Sequence, residues 1–196
     1  MEEYMSKKTV VVSAFLCCGK TYAFENYQDK YSILDSDSSQ FSWMLRKRTE
    51  EELETIKTDW DSTPHLMSGE EYIKQIKDTY IKVRNPEFPE NYIQHIKENI
   101  GKVDIIFVSS HLQVREAMTT AGIRYCTVYP EENMLNEWVG RMYKRGDDDS
   151  FINFQIKHWD KFMHSIIFDY GFCLCRLENN EYLDLSVIDL LYKMEE

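Results

Sequence analysis

The sequence predicts an α/β domain: a parallel sheet of about five strands between two layers of helices, with a helical insert after the second strand and a helical pair before the last. Short β-branched runs alternate with amphipathic stretches along the chain, the order that gives a parallel sheet covered on both faces. The first run, "VVVSA" from Val10, is continuously apolar, as in a strand buried on both sides. The 196 residues, 43% hydrophobic and 14% aromatic with only 7 Gly and 4 Pro, suit one core without a low-complexity linker or an internal repeat.

The elements follow in order. "KTVVVSAF" reads as strand and "CCGKTYAFENY" as turn plus helix, and "KYSIL" (30–34) is a second strand. Nearly seventy residues separate it from the stronger strand "VDIIFVSS" (103–110), and this interval reads as helical. "SGEEYIKQIKDTY" has Ser68 and Glu71 at capping-box spacing with Ile73, Ile76 and Tyr80 along one stripe. "PENYIQHIKENIG" starts at Pro89 and stops at Gly101. Ser110 and Gln113 open a helix through Thr120, Gly122 turns the chain, and "IRYCTVYP" is a fourth strand. Two helices follow, "EENMLNEWVGRMYKRG" and "SFINFQIKHWDKFMHSIIF", broken by the acidic turn 146–150. "FCLCRLENNEYLDLSVIDLLY" closes the chain as strand, Asn-Asn turn and short helix. The expected division is one domain with a core of 7–40, 101–134 and 168–196, a helical insert of 41–100, and a helical pair over 132–167.

No apolar run approaches the ~20 residues that span a bilayer, and "MEEYMSKK" lacks a signal-like apolar core, so a cytosolic protein without membrane contact is expected. The five cysteines are odd in number. Cys17 and Cys18 are adjacent and Cys173 and Cys175 are one residue apart, neither pair at zinc-site spacing, so free thiols are expected. A net charge of −11 disfavours a broad nucleic-acid interface.

Residues Ala14 to Thr21, "AFLCCGKT", match the phosphate-loop pattern of Gly, four residues and Gly-Lys-Thr at every fixed position but the first. In that pattern backbone amides around Phe15, Leu16, Cys17, Cys18 and Gly19, continuing into Lys20, Thr21 and Tyr22, cradle a triphosphate. Lys20 neutralises its β and γ oxygens, and the Thr21 hydroxyl holds Mg²⁺. Ala14 stands where glycine is usual, which the turn tolerates if the backbone there is not left-handed. Asp35 and Asp37, in "LDSDSS", follow the second strand at the carboxyl edge where open parallel sheets bind ligands. Asp37, Ser38 and Ser39 also suit the cap of a helix beginning near Gln40.

With "AFLCCGKT" and "LDSDSS" together, the chain resembles the P-loop small-molecule kinases, a group that includes nucleoside monophosphate, shikimate and gluconate kinases. As a whole it looks most like phage-encoded nucleotide kinase-like proteins. The resemblance implies the three-layer P-loop NTPase fold, ATP as phosphate donor, Mg²⁺, and a small-molecule nucleotide acceptor, in a monomer or homodimer. It implies that Asp35 and Asp37 divide between them the holding of Mg²⁺ and the orienting or deprotonating of the acceptor, with Thr21 and Asp35 as metal ligands.

Phosphoryl transfer spreads negative charge over equatorial oxygens, so arginines should converge on the site. The resemblance gives Arg115, in the helix after the third strand, a phosphate-binding role; the plain alternative is a salt bridge with Glu116 or Glu131. It makes 132–167 a lid carrying Arg141 and Arg145, with the turn after Gly146 as its flexible break. A solvated face with Glu137 pairing Arg141 is the alternative. It also makes 41–100 the acceptor-binding insert, where Phe41 is placed to stack on a base or to pack the insert. Arg46, in a basic run before "TEEELE", and Arg84 are placed to meet an acceptor phosphate or to form helix salt bridges. "FVSSH" lacks the aspartate that adenylate kinase-like enzymes carry after the third strand. His111 lies beside that strand's end, and His65, His95, His158 and His164 share no metal spacing.

Overall fold

A computed structural model describes residues 8–63, 67–77, 80–169 and 171–194. Most of the N-terminal "MEEYMSKK", His65, and Asp78 and Thr79 of the expected 68–80 helix therefore lie outside the described residues. The elements are β1 (Val10–Ala14), α1 (Lys20–Asn26), β2 (Ile33–Asp35), α2 (Ser39–Ser42), β3 (Trp43–Lys47), α3 (Glu50–Ser62), α4 (Gly69–Lys77), β4 (Tyr80–Arg84), α5 (Glu90–Asn99), β5 (Ile105–Ser109), α6 (Leu112–Thr120), β6 (Cys126–Pro130), α7 (Leu135–Arg145), α8 (Asp149–Ile167), β7 (Cys173–Leu177) and α9 (Leu185–Met194). A 3₁₀ turn, Glu132–Met134, leads into α7.

The main sheet has five strands in the order β2-β5-β1-β6-β7, every neighbouring pair parallel. β1 is central and wholly buried, as its unbroken apolar run requires. The chain runs from β1 outward to one side through β2 and β5, then to the other through β6 and β7. The strand order therefore reverses at β1, and the crevice for a ligand opens at its carboxyl end. This sheet, flanked by helices and carrying a phosphate loop between β1 and α1, is the three-layer α/β P-loop fold.

The chain forms two compact units, 1–38 with 89–196, and 39–88. The expected insert boundary of 41–100 is corrected by α5, which buries Tyr92, Ile93 and Ile96 and belongs to the first unit. The second unit is not purely helical. It contains the antiparallel pair β3–β4, in register from Trp43↔Arg84 to Lys47↔Tyr80, where "YIKVR" alternates as a strand should. Its α3 begins with a capping box between Thr49 and Glu52, and α3 and α4 meet through the stacked rings of Trp60 and Tyr72 at 4.5 Å.

The helical pair α7–α8 is part of the core. Trp138, Met142, Ile152, Trp159 and Met163 are at most 2% exposed, and the turn between the helices is built rather than loose. Gly146, at φ 90°, donates to Met142 and Tyr143 carbonyls, and Asp148 caps α8 by accepting from the Phe151 amide at 2.9 Å. The cap depresses the Asp148 pKa, chiefly through that amide. The expected break at 146–150 is thus hydrogen-bonded at both helix ends.

The expectation of free thiols also changes. Cys126 and Cys173 face each other in the parallel β6–β7 register and are joined as a disulfide with Cα atoms 4.6 Å apart, inside the range a bridge needs; Cys17, Cys18 and Cys175 are free. In helix α6, Arg115 is 1% exposed. It pairs with Asp169 at 3.1 Å and donates to the Ser110 carbonyl and to the Ser165 carbonyl and hydroxyl. Tyr125 and Thr127 donate to the same Asp169 carboxylate at 2.8 and 2.9 Å. This pair ties β6 to α6 and α8. Arg115→Ala leaves a buried carboxylate uncompensated and is expected to lower stability by about 3–5 kcal/mol, read as a fall in the urea midpoint.

Candidate functional site: the loop after β1

The segment from Ala14 to Gly19 sorts its own polar groups. Every carbonyl in it accepts a hydrogen bond from the protein. Lys20 Nζ donates to the Ala14 and Phe15 oxygens at 2.7 and 3.4 Å. Trp138 Nε1 donates to Leu16 O at 2.7 Å, Arg141 Nη1 to Cys17 O at 3.4 Å, and the Leu183 amide to Cys18 O at 2.8 Å. Gly19 O accepts from the Ala23 amide, the first closed bond of α1. The Phe15 amide is spent on Val128 O at 2.8 Å. Among the described residues the amides of Leu16 through Tyr22 donate to no protein acceptor. A row of backbone donors with its carbonyls turned to other partners is a cradle for a polyanion.

Local conformation explains the sequence pattern. Gly19 is left-handed at φ 100°, where a side chain would be strained, and Cys17 takes φ 59° as one of two non-glycine residues of this kind among those described. Ala14 is the last residue of β1 and not left-handed, so the missing first glycine leaves the turn intact. Phe15 buries its ring against Trp159 and contributes only backbone to the loop. Leu16 and Cys17 are half-buried and Tyr22 is exposed. Burial pushes the Cys17 thiol pKa up, and that of Cys18 to about 12, so neither is an activated thiolate.

Across the crevice, the Thr21 hydroxyl donates to Asp35 Oδ2 at 3.3 Å. Desolvation raises the Asp35 pKa, opposed by Lys20 and Thr21 and reinforced by Asp37, while desolvation lowers that of Lys20. The segment 35–37 is held by two bonds that the sequence does not announce. The Ser36 amide donates to Phe107 O at 2.9 Å, and the fully buried Tyr92 of α5 donates from its hydroxyl to Ser36 O at 2.6 Å. The Ser109 amide in turn donates to that hydroxyl at 3.4 Å. Burial pushes the Tyr92 pKa to about 12, keeping it a phenol donor. Asp37 is exposed at the end of this segment.

Lys20, Thr21, Asp35 and Asp37 are thus brought together as their motifs imply; the arginines are not. Arg115 is committed to Asp169, with neither Glu116 nor Glu131 as partner. Arg141 is 8% exposed and pairs with Glu137. It donates to the Cys17 and Glu181 carbonyls and lies between the rings of Trp138 and Tyr182 at 3.9 and 3.8 Å. It braces the loop instead of facing a ligand. Arg145 is half-exposed, pairs with Asp147 at 2.6 Å, and lies close enough to act electrostatically on Cys17 and Lys20.

In the second unit, Phe41 sits in α2 with its carbonyl accepting from Asn85. Arg46 is bidentate to Glu52, the salt-bridge alternative, and Arg84 lies over the rings of Trp43 and Phe88. His111 is the N-cap residue of α6, one position past the expected Ser110. Among the described residues no cluster of three His, Cys, Asp or Glu is placed to hold a metal by itself. None of their helices is long and apolar enough to cross a membrane.

Trp138, Leu183 and Tyr92 are the contributors that motif reading misses. Trp138 and Arg141 share the buried stripe of α7, and that spacing is their one signal; a tyrosine reaching across to Ser36 leaves none.

No protein-family model and no curated protein matches the chain. Among solved structures, a gluconokinase from Sinorhizobium meliloti 1021 aligns over 97% of this chain and 91% of its own, with a TM-score of 0.43 and 12% identity. That likeness is too remote to bear on substrate.

Trp138→Phe removes the Leu16 anchor while keeping an aromatic ring. It is expected to leave the circular dichroism spectrum unchanged and to weaken binding of inorganic tripolyphosphate roughly tenfold in titration calorimetry, the equivalent of one net hydrogen bond.

Proposed function

We propose that this protein is an ATP- and Mg²⁺-dependent phosphotransferase acting on a small acceptor, with a nucleoside or deoxynucleoside monophosphate as the first acceptor class. The observation that carries the reading is the sorted loop: free amides from Leu16 to Tyr22 with every neighbouring carbonyl already bonded. The donor set fits a divalent cation of the hard, oxygen-seeking kind. Thr21 supplies a hydroxyl and Asp35 a carboxylate, leaving the remaining positions to water and phosphate oxygens, the usual arrangement for Mg²⁺.

Mg²⁺, when bound, supplies charge neutralisation between the donor phosphates. Lys20, an ammonium with three donors, keeps its bond to the Ala14 carbonyl and turns a remaining N–H to phosphate oxygens, and an anion beside it restores the proton affinity that burial removes. The loop amides orient the donor, and Arg145, near enough to act on Lys20, is the arginine proposed to meet its phosphates. Asp37, held by Tyr92 through Ser36, positions the acceptor, and Asp35 takes or shares its proton. Phe41, Arg46 and Arg84 remain proposals for the acceptor side.

The burial of Arg115 favours a second reading. Without that arginine for an acceptor phosphate, the acceptor is a hydroxylated metabolite, a nucleoside, or the 5′ end of a polynucleotide, activated by the carboxylate pair. A screen of Mg-ATP against the common monophosphates and a set of nucleosides and polyols separates the two. ATP binding without turnover of any acceptor would instead mark a non-catalytic nucleotide-binding protein.

Lys20→Ala is expected to lower transfer by roughly 10²–10³-fold with the fold retained; undiminished activity would remove the loop from the mechanism. Because the folded protein holds the Asp35 proton more tightly than an unfolded chain does, the active carboxylate is lost at a higher pH than for an ordinary aspartate as the solution is acidified. The acid limb of the kcat/KM profile should therefore lie above the usual carboxylate range and vanish in Asp35→Asn. The same sign means that ionising Asp35 costs stability above its pKa, so Asp35→Asn should be the more stable protein at neutral pH in chemical denaturation.

A further inference from the structure

The β3–β4 hairpin has a face of which the catalytic reading uses Arg84 alone. Side chains alternate along a strand, and the register places Trp43 opposite Arg84, Leu45 opposite Lys82, and Lys47 opposite Tyr80 on one side. All six are exposed, Trp43 by 39%, Leu45 by 70% and Tyr80 by 59%. The face carries no carboxylate, although the chain as a whole has a net charge of −11. Among the described residues none of the ion pairs involves Lys47, Lys82 or Arg84. Arg46, on the opposite side of the same strand, is neutralised by Glu52. The Arg84 guanidinium lies 4.7 Å and the Lys82 ammonium 5.3 Å from the Trp43 ring centre, so cations are held against an aromatic plane.

We propose that this face binds single-stranded nucleic acid. Cations neutralise the sugar-phosphate backbone, and exposed rings at both ends, about 14 Å apart along the strands, offer π-faces to successive bases. That combination distinguishes the ligand from an acidic polypeptide, which has the charge without flat aromatic groups, and from a second copy of the chain, for which one aliphatic residue, Leu45, is a poor apolar centre. The low count of cations limits the site to a few nucleotides, in keeping with the overall acidity that disfavours a broad interface. The inference is independent of phosphoryl transfer.

Anisotropy of a fluorescent eight-residue oligothymidylate at low salt tests it with the full chain. Binding is expected with a slope of log K against log salt near −2, from three cations at about −0.7 each. Lys47→Glu with Lys82→Glu should weaken it at least tenfold, and Trp43→Ala roughly tenfold or more through lost stacking. These residues are exposed, so folding is not at stake, and Lys20→Ala should bind the oligonucleotide as the native chain does. Absence of binding, indifference to the charge reversals, loss of binding in Lys20→Ala, equal competition by polyglutamate, or self-association through the same residues would each overturn the proposal.

Discussion

The site depends on one constraint: a backbone that offers amides to an anion must first find other partners for its carbonyls. Between Ala14 and Gly19 that requirement is met from four directions, by the Lys20 side chain, by Trp138 and Arg141 of α7, by Leu183 before α9 and by the first turn of α1. Each carbonyl so fixed turns its peptide plane and aims the following amide the other way. The core roles of α7 and the 178–184 segment follow from that bracing.

The buried arginines show how charge is divided between structure and chemistry. Arg115 and Arg141 are both nearly inaccessible, and each is surrounded by acceptors that complete its fork: Asp169 and Ser165 for one, Glu137, Cys17 and Glu181 for the other. A guanidinium removed from water is tolerable only when paired and hydrogen-bonded in this way. Arg145, with Asp147 as its ion-pair partner, and the cations of the hairpin face lie at the surface instead.

The main sheet was legible because its strands are apolar on both faces, so that "VVVSA", "IIFVS" and "CTVYP" stand out from any helical period. Lys20, Thr21, Asp35 and Asp37 were legible for a different reason: the turn chemistry around Gly19 and the strand edge after Leu34 are local, and local rules place them. β3 was not, because Trp43 to Lys47 has no buried face to produce alternation. The partners of Arg115 and Arg141 were not legible because helical spacing tells which residues share a stripe and not what the stripe packs against. The Cys126–Cys173 bridge was hidden likewise, since strand order alone makes neighbours of residues 47 apart.

Trp138 lies 122 residues downstream of Leu16, and Arg141 is 124 beyond Cys17. The strand, loop and helix that carry the phosphate motif leave the ribosome long before the side chains that shape it. During synthesis the nascent N-terminal segment therefore holds the right residues without the right geometry, and any ligand of this loop can act on folding only late in translation.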